Sequence, residues 1–268
     1  VTGRAAAAQG APSWSTGNQW TYSTKLLNTP VTIVMAVKGQ TSLTIGSTTY
    51  PVWNLNVSTT ATSGGGSISF YEDVYLTVDG LKQAQTHSSF IAPTTSTYNP
   101  PQPQFVFPLA PGNSWNGTTN VTTTTNSGTT SSPQSYSGTV TAEQTITVPA
   151  GTFTTEVVRT PASGSTYTLT YYSEQVGNAV KMEDYLLGSL TGSENLTAYS
   201  YSPGLFGISN TVWIIVLVVA LILIVAAVVL LRRRPRMPYP MPPQQPGQYP
   251  PQPYPPPQQP PQQGPPGT

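Results

Sequence analysis

Any chemistry in this chain would have to come from very few residues. It holds nine Asp and Glu, one histidine and no cysteine. Thiolate ligands, disulfides and cysteine nucleophiles are therefore excluded. His87 has no second histidine with which to share a metal, so a zinc site would need a carboxylate-dominated shell. An exposed or strand-end histidine is the simpler reading. The carboxylates are Glu72, Asp73, Asp79, Glu143, Glu156, Glu174, Glu183, Asp184 and Glu194. Glycoside hydrolysis needs two facing carboxyls about 5–10 Å apart. Glu72–Asp73 and Glu183–Asp184 are adjacent, but neighbours on a strand point to opposite faces. The sequence has no calcium-loop spacing and no GxSxG elbow. The expectation is no catalytic residue, no metal and no cofactor, in a protein that is not an enzyme.

Surface modification has better support. N-x-S/T occurs at Asn56, Asn116, Asn120 and Asn195, whereas Asn28 is followed by Thr-Pro and does not qualify. Residues 117–137 are dominated by Ser and Thr. They read either as a mobile glycosylated loop or as a polar strand over 121–125. Tyrosines are plentiful, and exposed on a β face they can bind sugars or proteins.

The element that places all of this is residues 212–231, VWIIVLVVALILIVAAVVLL, which contain no charge, Gly or Pro. At about 1.5 Å per residue such a helix spans about 30 Å, the thickness of a bilayer's hydrocarbon core. Arg232, Arg233, Arg234 and Arg236 follow directly, and the nearest basic residue before the span is Lys181. Positive charge stays in the cytoplasm, so the N-terminal part is expected outside and the C-terminus inside, in a single pass. The bilayer is thus the first expected partner. Only 7% of residues are charged and no long basic run precedes the span, which argues against nucleic acid. Beyond the span lies a tail rich in Pro and Gln, expected to be disordered. It reads as a spacer or as a polyproline ligand for a cytoplasmic protein.

Before the span the pattern is β throughout. In VTIVMAV, Val31, Ile33, Met35 and Val37 share one face; in ISFYEDVYLTV, Phe70, Val74 and Leu76 oppose Tyr71, Asp73 and Tyr75. An antiparallel sandwich or a set of curled sheets follows. GNQW at 17–20 recurs as GNSW at 112–115, TYPVWNLNV at 49 as TFTTEVVRT at 152, and VDGLK as VGNAVK. Order and spacing agree, which points to a duplicated unit with Trp20 and Trp115 as buried anchors. The expected layout is an N-terminal segment left by signal-peptide removal (1–16), β unit 1 (17–91) and a Pro/Thr connector (92–104). β unit 2 (105–202), a juxtamembrane linker (203–211), the span (212–231) and the tail (232–268) complete it. Whether the units are separate lobes or one sheet system stays open, as does the oligomeric state.

PLAPGNSW, ITVPAGTF and YYSEQVGNAVK together resemble a β-rich domain of unknown function found in secreted and surface proteins of bacteria and archaea. The resemblance covers residues 105–184 well and the first unit loosely, because TIGSTTY stands where a VPAG turn would be. It implies an extracytoplasmic β fold and brings no catalytic residues. The layout is similar to single-pass archaeal surface proteins with a C-terminal anchor. The expected role is structural or recognition work at the envelope, meeting a glycan or a protein. The alternative is an extracytoplasmic receptor for a small molecule, lipid or glycan; a carboxylate-dependent hydrolase comes third.

Overall fold

The structure, a computed structural model, describes residues 8–89, 92–162 and 164–201. The expected span, Arg232 to Arg236 and the tail lie outside these residues. The described residues contain no helix, so none is long and apolar enough to cross a membrane.

Twelve antiparallel strands close into one barrel, each paired with its neighbours in sequence and β1 paired with β12. The first six are β1 (Gln19–Leu26), β2 (Thr29–Ile45), β3 (Thr48–Ser63), β4 (Gly66–Thr77), β5 (Gln83–Ser88) and β6 (Thr94–Gln102). The second six are β7 (Ser114–Thr125), β8 (Gly128–Val148), β9 (Gly151–Pro161), β10 (Thr166–Ser173), β11 (Asn178–Leu186) and β12 (Ser189–Ser200). The expected sandwich is therefore corrected to a barrel, and the two units form one sheet system. Closure removes every open strand edge, which neither sandwich sheet could do.

The alternation seen in sequence sets the inside. Val31, Ile33, Met35 and Val37 of β2 join Leu55, Val57, Val74 and Leu76 in the main core. A second core, Phe105, Leu109, Val140, Val158 and Tyr172, lies in the other half. On β10 the apolar-looking face is the outer one: Thr168 and Thr170 lie on the same side as Met182 and Asp184, while Tyr167, Leu169 and Tyr171 face the other way. The expected connector is corrected too. Residues 94–102 are strand β6, paired with β5 and β7. Its Thr-rich start suits a ladder, and Pro100 and Pro101, which lack N–H donors, fall where the pairing to β7 has ended.

The two halves are built alike. Gly17 has φ 89° and Gly112 has φ 93°, values that favour glycine. Gly17 N–H donates to Val37 O (3.0 Å), and Asn18 O accepts from Val37 N–H (2.9 Å). Gly112 N–H donates to Val140 O (2.8 Å), and Asn113 O accepts from Val140 N–H (2.8 Å). Register shifts follow at matching places, at Val37/Gly39 and Val140/Ala142, then at Tyr75/Leu76 and Tyr171/Tyr172.

Candidate functional site: the barrel mouth

The strands alternate in direction, so one end of the barrel collects the N-terminal strap (residues 8–18), the β4–β5 turn, the β6–β7 connector and the chain's exit after Ser200. Gln19 pairs with Ser200 at this end. A cleft of about 650 Å³ opens here, lined by Ala11, Pro51, Val78, Gly80, Pro103, Val106 and Phe107 among others. This is within the usual volume of a small-molecule site.

Two aromatic rings, Phe105 and Phe107, line it, with the buried Tyr172 packed behind both. Phe105 and Phe107 meet edge-on at 5.8 Å, and both pack against Tyr172 at 5.4 and 5.3 Å. Tyr172 is held in turn by its hydroxyl, which donates to Gly10 O at 3.2 Å. Val106, between the two phenylalanines, is 44% exposed. The charges at the cleft are Asp79 and Lys82, a rim pair at 3.5 Å with both side chains well exposed. Such a pair contributes little to stability and is free to meet a ligand. Beside the cleft, Gln104 Nε2 donates to Gln83 Oε1 (2.8 Å) and Gln83 Nε2 to Thr86 Oγ1 (2.9 Å). Gln102 Oε1 is buried without a hydrogen-bond partner.

The β4–β5 turn closes itself: Thr77 Oγ1 donates to Asp79 O (2.6 Å) and accepts from Lys82 N–H (3.1 Å). The matching β10–β11 turn is closed by aromatic donors from the first half. Trp14 Nε1 donates to Gly177 O (3.2 Å), Trp20 Nε1 to Val176 O (2.9 Å) and Tyr22 Oη to Ala179 O (2.7 Å).

The residues singled out in the sequence are scattered. Trp20 is fully buried, packed on Trp14 at 5.5 Å. Trp115 is only half-buried, on the margin of the second core. Its ring lies over its cross-strand partner Gly138, occupying the space a Cβ would need. It is thus not the core plug expected, because a glycine on β8 gives the ring a seat along the sheet.

Asn116 and Asn120 are exposed on β7, whereas Asn56 Nδ2 is bonded to Asp73 Oδ1 (3.1 Å) and Asn195 Nδ2 to Ser193 Oγ (3.5 Å). Residues 117–137 are not a loop but the β7–β8 hairpin.

The paired acids do split across their strands. Glu72 is buried inside, and burial followed by Asp73 pushes its carboxyl up to about 7. Asp73 faces out towards Asn56. Burial raises Glu183, but hydrogen bonds from Lys181, Tyr171 and Tyr185 outweigh it and hold the carboxyl below its ordinary value. Lys181 Nζ reaches Glu183 Oε1 at 2.6 Å. Glu194 is raised well above the usual range by burial and then by Asp184. Glu156 has both oxygens buried without a partner, and burial followed by Glu143 lifts it to about 7. Among the described residues, no three His, Asp or Glu side chains are grouped to hold a metal. Sequence reading missed the cleft, since its walls come from four separated segments.

No protein-family model matches the chain, and no curated protein does. Two solved structures are similar to it. One is from Bacteroides fragilis, named as an exported protein with a YmcC-like fold; it has 15% identity and a TM-score of 0.38, over 73% of this chain and 100% of that one. The other is from Parabacteroides distasonis, named as a lipoprotein; it has 12% identity and a TM-score of 0.38, over the same shares.

Proposed function

We propose that this chain is a membrane-anchored cell-surface recognition protein whose outer barrel takes an apolar or amphiphilic ligand in the mouth cleft. The barrel stands outside, residues 212–231 cross the bilayer, and Arg232 and the Pro-rich tail lie inside. The observation that carries this reading is the cleft's position, at the barrel end from which the chain continues towards the apolar segment. About ten residues separate Tyr201 from that segment, a reach of roughly 35 Å at most. The mouth therefore stays close to the lipid surface. Phe, Val and Pro walls suit an acyl chain or a similar apolar body, and Lys82 at the rim suits an anionic head.

The test uses the full chain in phospholipid nanodiscs, titrated with the fluorescent fatty acid cis-parinaric acid. Saturable binding is expected, weakened about tenfold or more by Val106→Glu, at a position 44% exposed and outside the ring packing, with an unchanged melting temperature. Absence of saturable binding, or equal binding by the variant, refutes the ligand role. External protease on intact cells should remove the barrel and spare an epitope placed after Arg236. Cleavage of that epitope from outside refutes the orientation.

A further inference from the structure

On the side wall, away from the mouth, the outer face of β3–β8 carries polar side chains in strand register. One rank runs Asn56, Asp73, His87, Thr95, Thr124, Thr129 across six adjacent strands. Two residues along, a second runs Tyr75, Gln85, Thr97, Thr122, Ser131. Neighbours within each rank are bonded in pairs. Asn56 reaches Asp73 at 3.1 Å, His87 Nδ1 lies 3.0 Å from Thr95 Oγ1, and the Thr124 and Thr129 hydroxyls lie 3.1 Å apart. In the second rank Gln85 Nε2 donates to Thr97 Oγ1 at 3.0 Å, and Thr122 and Ser131 lie 3.0 Å apart. Pairing fixes the rotamers and leaves further donor and acceptor capacity on each hydroxyl and amide.

Tyr71 stands two residues before Asp73 on the same face of β4 and is 54% exposed. Its counterpart in the second half is Tyr167, placed by the matching register shifts on β4 and β10. Tyr167 is closed on both faces, by the Arg159 guanidinium at 4.2 Å and by stacking on Tyr185 at 4.8 Å. Tyr71 makes no ring contact among the described residues, so its ring is open to a ligand.

We propose that this face binds a neutral polysaccharide. The ranks hold one carboxylate, one imidazole and otherwise neutral donors and acceptors, with no Lys or Arg. A polyanion finds no counter-charge here, and an apolar peptide finds no pocket. Sugar hydroxyls both donate and accept, as do the Thr and Ser hydroxyls and the Asn and Gln amides that face them. The open Tyr71 ring offers a flat apolar surface to the C–H face of a pyranose. Strands about 4.8 Å apart give a six-strand rank a length of about 24 Å, room for several sugar units in an extended chain. The site shares no residue with the cleft, so each reading stands or falls alone.

Affinity electrophoresis of the full chain in nanodiscs tests this, with gels containing hydroxyethyl cellulose, mannan, galactan or dextran, and heparin as the charged control. At least one neutral polymer should retard the protein, undiminished by added salt. Tyr71→Ala and the double change Thr95→Val and Thr124→Val should each weaken that retardation about fivefold or more. Tyr185→Ala, on the far wall, should leave it unchanged, and melting temperatures check that each variant is folded. Retardation by heparin alone, by no neutral polymer, or equally in the Tyr71 and threonine variants overturns the proposal. So does an intact mass showing a glycan on Asn56, which would cover the long rank.

Discussion

Glu72→Gln should stabilise the barrel at alkaline pH and do little in acid. The Glu72 carboxyl sits inside β4, where burial first and Asp73 second raise it from 4.5 to about 7. Between those two values the folded state holds a proton that the unfolded chain has released. Stability therefore falls as pH rises through this window and is fully present only below the unfolded value. A tenfold change in proton affinity corresponds to about 1.4 kcal/mol, so the loss is about 3 kcal/mol once pH exceeds 7. Glutamine keeps the shape of the protonated acid and cannot ionise. The variant should match the wild type near pH 4.5 and exceed it by about 3 kcal/mol at pH 8, which is roughly 6–12 °C in melting temperature for a domain of this size. Urea unfolding followed by tryptophan fluorescence, run from pH 4 to 9 on the full chain in detergent, measures the difference directly. Glu156 titrates in the same window, but in both proteins, so it cancels. A difference that does not change with pH refutes the buried, protonated carboxyl.

Two further outcomes test the packing. Trp20→Ala should cost about 3–5 kcal/mol, because it empties the main core and leaves Val176 O without its donor. Trp115→Ala should cost less than half of that, since the ring is half-buried over Gly138; equal losses in chemical denaturation would contradict this asymmetry. Leu27→Asn should raise stability by about 0.5–1 kcal/mol, because Leu27 holds φ 47° in a two-residue hairpin turn that asparagine adopts more readily. A fall in melting temperature would show that the exposed leucine is held by contacts its surroundings do not suggest.

Much of the fold was legible because it is local. Period-two alternation in β2 and β4 marked the inner face, and the repeated GNQW and GNSW stretches picked out Gly17 and Gly112, which both hold positive φ. Closure was not legible, since the pairing of Gln19 with Ser200 depends on how all twelve strands coil and no short pattern encodes it. β6 was hidden by its prolines, which end its ladder rather than forbid it. Trp115 was misplaced because its seat, Gly138, lies on another strand. The polar ranks were invisible for the same reason. Each threonine is ordinary in this composition, and only the register, with its bulges, decides which six side chains stand in line.

The likeness of the two halves follows from what closing the barrel requires. A six-stranded half alone would leave two bare edges, and pairing β6 with β7 and β12 with β1 covers all four. The shared turns and bulges serve that closure in both halves. Other positions differ between the halves. Trp14, three residues before Gly17, fills the mouth over the β10–β11 turn; Leu109, three before Gly112, is shorter and fully enclosed in the second core. The turn it would face, at Asp79–Lys82, is satisfied by Thr77 and needs no aromatic donor. The same logic separates Tyr71 from Tyr167. The second copy spends its ring on Arg159 and Tyr185 to hold β9, β10 and β11 together, whereas the first leaves its ring exposed beside a row of fixed polar groups. The two halves thus share the turns and bulges that close the wall and differ at Trp14/Leu109 and Tyr71/Tyr167, where the side chains meet different neighbours.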